Sequence, residues 1–283
     1  MMQSAPKLQC FILDTGYSTF WENYLIRGGA HKQVACHSLV ALLCHPTYGW
    51  ILWDTGYAQR MLDVTQQLPF SLYRRVTPLH LDPKLSVIAQ LERWKLSAGD
   101  IQHVIISHFH ADHIAGLRDF PQAELIASET AYADVAERRG MRALKRAFIP
   151  ELLPKDFTQR ARLISNFTDQ ALPALGATHD LFGDQSLLLV PLPGHAHGQV
   201  GMLAQTERGA ILFAADGCWL RKSIEERRPP SRLTSLFIDD ARSVSRTINN
   251  LSDFSQTYKD IVIIPSHCPE AYAQEVEGLH ETI

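Results

Sequence analysis

The sequence predicts a mixed α/β fold in which two sheets pack together with helices outside, a four-layer α/β/β/α sandwich. Three observations predict it. Strand-like apolar runs alternate with stretches of helical spacing along the chain. The second half repeats the style of the first, as two similar layers would require. Several runs, such as LLLVPL (187–192) and GAILFAAD (209–216), are continuously apolar, as in strands buried on at least one face. With 283 residues and 46% hydrophobic composition, the chain can bury a large core. No internal repeat, low-complexity tract or Gly/Ser linker divides it, so a single domain over 1–283 is expected.

The elements follow in order. LQCFILD (8–14) and HSLVALLCH (37–45) are strand-like, and WILWD (50–54) follows the turn residues 46–49. PKLSVIAQLERWKL (83–96) carries apolar residues at helical spacing, with Pro83 suited to a first turn. A strand at HVIIS (103–107), a helix from about Ile114, a strand at AELIA (123–127) and a helix from Ser128 come next. After the two apolar runs, DDARSVSRTINNLSDF (239–254) reads as a helix with Ile248 and Leu251 inward, and IVIIPSH (261–267) as a last buried strand.

Charged residues make up 20% of the chain and the net charge is −3, which excludes a disordered or broadly nucleic-acid-coating protein. The N-terminal MMQSAPKLQCFILD has no apolar stretch long enough for a signal peptide, and no run approaches the ~20 residues of a membrane span. A cytoplasmic protein with no membrane partner is therefore expected. Cys10, Cys36, Cys44, Cys218 and Cys268 are scattered without a C-x-x-C pair, which reads as reduced, buried thiols.

The chemistry is concentrated in VIISHFHADHIAG (104–116). His108 and His110 lie two apart, so an extended backbone sends both the same way. Asp112 and His113 on the following turn can face a second point nearby. Four potential ligands in six residues exceed what one tetrahedral ion with an open position uses, which points to two ions. Other strand-like runs end alike: PLPGHAHG brings His195, LFAADGCW brings Asp216 and IVIIPSHC brings His267. Four buried strands thus each deliver a metal-competent residue at the C-terminal end, where α/β proteins build sites.

With His108, His110, Asp112, His113, His195, Asp216 and His267, and with the Asp-Thr-Gly of LWDTG (52–56), the chain resembles the metallo-β-lactamase superfamily of metal-dependent hydrolases over roughly residues 35 to 268. The resemblance implies the αββα sandwich and a ligand set. His108, His110 and His195 would bind one metal; Asp112, His113 and His267 the second; Asp216 would bridge them. His110 argues against the flavo-diiron branch, which usually has Glu there. Asp216 argues against true β-lactamases, which supply Cys or Ser to the second metal; Cys218 comes two residues too late for that role.

Two such ions ~3.5–4 Å apart share a hydroxide that persists near neutral pH and attacks an acyl carbon. Asp112 is the catalytic carboxylate expected to orient it or carry a proton to the leaving group. Asp54 is expected either to accept a hydrogen bond from a ligand imidazole or to be a plain turn residue. His197, two residues after His195, is a candidate for supporting a ligand or facing substrate. His31, His37, His45, His80, His103, His179 and His280 lack ligand spacing. Zinc leads on donor type, with iron, manganese and cobalt also compatible.

Within the superfamily the chain is most similar to the N-acyl-homoserine-lactonase-like group, with two departures. Trp219 stands where lactonases often carry a tyrosine, and its indole donates but cannot ionise to a phenolate. Gln199 stands where they tend to have the last His of G-H-x-x-G-H. The small-molecule substrate expected is a lactone or carboxylic ester. A glyoxalase-II-like thioesterase, a phosphodiesterase or nuclease, and a non-catalytic ligand sensor are the alternatives, with nucleic acid disfavoured as a partner and a homodimer left open. ERRGMRALKR (137–146) and RKSIEERRPPSR (221–232) would attract an anionic substrate if they border the cleft, or else form solvated surfaces. Phe70, Leu72, Tyr73, Phe148, Ile149 and Phe237 could instead line an acyl pocket.

Overall fold

The computed structural model describes residues 5–277. Seven strands form the first sheet: β1 (Gln9–Trp21), β2 (Gln33–His45), β3 (Gly49–Trp53), β4 (Leu79–His80), β5 (Ile101–Ile106), β6 (Glu124–Ser128) and β7 (Ala161–Ile164), in the order β4-β1-β2-β3-β5-β6-β7. Five form the second: β8 (His179–Asp180), β9 (Leu187–Pro191), β10 (Val200–Thr206), β11 (Gly209–Ala215) and β12 (Val262–Pro265), in the order β12-β11-β10-β9-β8.

The period-2 alternation of the strands produces the layers. In β2, Leu39, Ala41 and Leu43 point toward the second sheet, while Val40 and Leu42 point outward to the helices. Leu189 of β9, Met202 of β10 and Phe213 of β11 meet the inward set from the opposite side. On the outer face of the second sheet, Leu188, Val190, Leu203 and Leu212 pack against Val244, Ile248, Leu251 and Phe254 of the helix Ala241–Thr257. Three apolar layers between four layers of structure are the αββα sandwich. The Asp240 side chain accepts from Arg242 N–H and so starts that long helix.

Three sequence expectations need correction. The stretch 83–96 is not one helix but 3₁₀ turn Pro83–Leu85, α-turn Val87–Gln90 and 3₁₀ turn Leu91–Trp94. Ser86 breaks it, adopting an extended ψ of 144° while its hydroxyl donates to Pro83 O at 2.8 Å. The helix expected from Ile114 instead ends there, spanning Ala111–Ile114. The carbonyls that would propagate it are taken, Asp112 O by the Ser38 hydroxyl at 2.8 Å and His113 O by Thr55 N–H at 2.9 Å. Finally, β10 lies in VGMLAQT, which the sequence reading passed over; β9 and β11 pair with it on either side. Among the described residues, no helix is long and apolar enough to cross a membrane.

Candidate metal centre

The C-terminal ends of β5, β9, β11 and β12 converge on one edge of the sandwich, as their pairing requires. Two backbone bonds tie the sheets together there: Val200 N–H to Ser107 O and Leu39 N–H to Ser266 O, both 3.0 Å. His108 and His113 come from the loop and turn after β5, His195 from the turn after β9, Asp216 from the end of β11 and His267 from beyond β12. All five side chains are buried, and His110 and Asp112 are half-buried beside them.

The donor atoms fall into three overlapping groups, each within 4.8 Å, that could hold a metal ion: His108, His110 and His195; His108, His113 and Asp216; Asp112, His113 and His267. His195 Nε2 faces His110 Nδ1 at 2.9 Å. Asp216 Oδ1 lies 3.3 Å from His113 Nε2, and its Oδ2 lies 3.2 Å from both His195 Nε2 and His267 Nε2. His267 Nε2 is 3.4 Å from Asp112 Oδ2. His108 Nε2, His113 Nε2 and Asp216 Oδ1 are buried without any hydrogen-bond partner. Buried polar atoms left open are costly, so this cluster fits a cation that supplies the missing contacts.

Their opposite ring atoms are tied down. Asp54 Oδ2 accepts from His113 Nδ1 at 2.8 Å and from the Ser107 hydroxyl at 2.7 Å, while Asp54 Oδ1 accepts from Ser107 N–H at 2.8 Å. With its proton on Asp54, the Ser107 oxygen accepts from His108 Nδ1 at 3.0 Å. His267 Nδ1 donates to the His37 carbonyl at 2.5 Å. Each bond fixes the tautomer that leaves Nε2 free, the arrangement by which outer residues orient metal ligands. Asp54 reaches this position in a left-handed conformation, φ 57°, which aspartate tolerates better than most residues.

The electrostatics match. Burial drives the imidazoles of His108 and His195 well below the usual histidine range and that of His110 down to about 4. Burial acts the same way on His113 and His267, but the Asp216 carboxylate overrides it and raises both. Burial likewise works against the charge of Asp216, yet His267, His195 and His113 hold its carboxyl well below the ordinary carboxylate range. Neutral imidazoles at His108, His110 and His195 and the anionic Asp216 are ready donors, and on the other side an ion would take the place of the proton that Asp216 favours on His113 and His267.

The other candidates separate. Trp219 donates its indole N–H to Asp216 Oδ2 at 2.9 Å. His197 is half exposed and pairs with Asp239 at 3.4 Å, outside the three donor groups. His31 stacks on Trp21 and His80 on Tyr17; His37, His45, His103 and His179 pair with Asp14, Asp184, Glu124 and Asp169. His280 lies outside the described residues. Cys218 is buried and belongs to none of the donor groups. The basic segments spend much of their charge internally. Arg138 and Arg146 pair with Asp134, Arg146 also with Asp239, Arg227 with Asp253 and Arg228 with Glu226. Phe70, Phe148 and Ile149 are core residues, whereas Phe237 is 79% exposed.

Tyr73, one of the apolar pocket candidates, is a core residue whose phenol is pushed well above its usual range, by burial first and the Asp112 carboxylate second. Ser107 and the carbonyl of His37 were missed. Only Ser107, adjoining the histidine motif, offered a cue.

Comparison with known proteins shows the family and the fold. The description "Metallo-beta-lactamase superfamily" matches residues 34–254. A probable metallo-hydrolase of Mycobacterium tuberculosis is 27% identical over 82% of this chain and 77% of its own. The N-acyl homoserine lactonase AttM of Agrobacterium fabrum is 26% identical over 68% of each chain. A solved N-acyl homoserine lactone hydrolase, with the product N-hexanoyl-L-homoserine bound at its catalytic metal centre, superposes with a TM-score of 0.73 at 18% identity, covering 96% of this chain and 97% of that one. AidC, a dizinc quorum-quenching lactonase, superposes with a TM-score of 0.64 at 16% identity, covering 94% and 89%. The fold, the strand-end donors and the match over most of the chain lead to one conclusion: this protein belongs to the metallo-β-lactamase superfamily.

Proposed function

We propose that the chain is a dinuclear metal-dependent hydrolase, one domain over 1–283, that opens a lactone or cleaves a related carboxylic ester. The observation that carries this reading is the donor set. The groups His108/His110/His195 and Asp112/His113/His267 share no member, and Asp216 sits within reach of both. Two divalent ions, zinc by donor type, would be held there and would supply a nucleophilic hydroxide at neutral pH and polarise the acyl oxygen.

The residues of the chain supply the rest. Asp54 and Ser107 hold His108 and His113 in the binding tautomer. Asp112, half-buried beside the histidines, would orient the nucleophile, take up the proton the nucleophile gives up after attack and pass it to the departing alkoxide. Lactonase relatives and a product-bound lactonase neighbour favour the lactone over a phosphodiester. So does the pairing of Arg138, Arg146, Arg227 and Arg228 with acids of this chain, which leaves those guanidiniums committed. Five free cysteines support a reducing, cytoplasmic setting.

The test is a substrate panel of acyl lactones, aryl esters, thioesters and bis-p-nitrophenyl phosphate, with and without chelator. Lactone or ester turnover that chelation abolishes and zinc restores is expected; turnover confined to the phosphodiester would overturn the reading. Asp216→Ala and His113→Ala should each retain one ion and lose at least roughly 100-fold in kcat, and near-wild-type turnover in both would refute the assignment.

A further inference from the structure

We propose that Trp219 is a positioning residue for Asp216: its indole N–H holds the carboxylate in the rotamer that turns Oδ2 toward His195 and His267 and Oδ1 toward His113. This rests on the dinuclear reading above. The two oxygens of Asp216 have different surroundings. Oδ2 accepts from Trp219 Nε1 at 2.9 Å and lies 3.2 Å from His195 Nε2 and His267 Nε2, whereas Oδ1 is buried with no hydrogen-bond partner, 3.3 Å from His113 Nε2. A carboxylate on two rotatable bonds needs such a restraint to keep one face toward a fixed point.

The restraint is itself held. Trp219 packs against the cluster of Leu25, Ile26, Cys36 and Leu220 and lies edge-on to His195, ring centroids 5.4 Å apart at 81°. Beside it lies a small pocket lined in part by Ile238, Val244 and Ile248. The backbone delivers both residues to one side. Ala215 takes a left-handed φ of 45° where β11 departs from regular pairing with β12, and Gly217 N–H closes a turn onto Ala214 O at 2.9 Å. The choice of indole has a chemical consequence. It donates one hydrogen bond and accepts none, so it neither ionises nor competes for an ion. With that single donor committed to Asp216, Trp219 has none left for a substrate carbonyl.

Trp219→Phe keeps a packed ring and removes the N–H. Zinc is the probe, with affinity read by chelator competition and the indole by ¹⁵N–¹H correlation spectra. Zinc binding to Trp219→Phe should weaken roughly 10- to 100-fold, with the thermal midpoint of the zinc-free variant near wild type. In the wild-type protein the Trp219 indole resonance, assigned through its own backbone, should shift as zinc is added; this arm needs no variant to fold. Wild-type zinc affinity in Trp219→Phe, or a Trp219 resonance that zinc leaves unmoved, would overturn the proposal. A wild-type chain that binds no zinc would overturn the dinuclear reading as well, so the two failures are distinct.

Discussion

Asp54→Asn should cripple ion binding without unfolding the protein. Asparagine is close in size to aspartate and tolerates the left-handed φ of 57° found at this position. The amide cannot satisfy the three donors that Asp54 serves, Ser107 N–H, the Ser107 hydroxyl and His113 Nδ1. If its oxygen stays on Ser107 N–H, its NH₂ points at Ser107 Oγ and at His113 Nδ1. His113 must then accept at Nδ1 and carry its proton on Nε2, where an ion would bind. The Ser107 hydroxyl must turn to His108 Nδ1, with the same result for His108. If the amide flips instead, Ser107 N–H meets a second donor inside the protein. Either way about two buried groups are mispaired at ~1–3 kcal/mol each, which weakens ion binding by at least ~30-fold. Chelator competition with zinc measures this directly, and far-UV circular dichroism checks the fold. Two ions bound to Asp54→Asn at wild-type affinity would refute the claim that Asp54 sets the tautomers.

Two further outcomes are expected. Gly194→Ala should destabilise by ~4 kcal/mol or more, because a Cβ there would sit 2.2 Å from Val244 N at a φ of 129°; an unchanged urea midpoint would contradict it. Ellman's reagent at pH 8 should find no fast thiol except half-buried Cys44 in the native protein, since burial pushes Cys10 up to about 12, Cys268 to about 11, and Cys36 and Cys218 higher. All five cysteines should react after denaturation, and fewer would reveal a disulfide.

The donor residues were legible in the sequence because they follow the ends of four apolar runs, and such runs declare their buried strands without knowledge of their partners. The edges of that pattern were harder to read. VGMLAQT became β10 through its neighbours β9 and β11, a pairing that no local periodicity encodes. The turn Ala111–Ile114 looked like the start of a longer helix until Ser38 and Thr55, distant in sequence, took the carbonyls of Asp112 and His113. The placement of Asp54 against His113 spans 59 residues, and the carbonyl of His37 meets His267 across 230. Contacts of that kind depend on tertiary packing, so the residues that orient the ligands were less visible than the ligands themselves.

The most direct test is anomalous diffraction at the zinc edge from crystals of zinc-loaded protein. Two peaks are expected ~3.5–4 Å apart, one among His108, His110 and His195 and the other among Asp112, His113 and His267, with Asp216 between them. A single peak, or ions bound away from these residues, would contradict a two-metal centre.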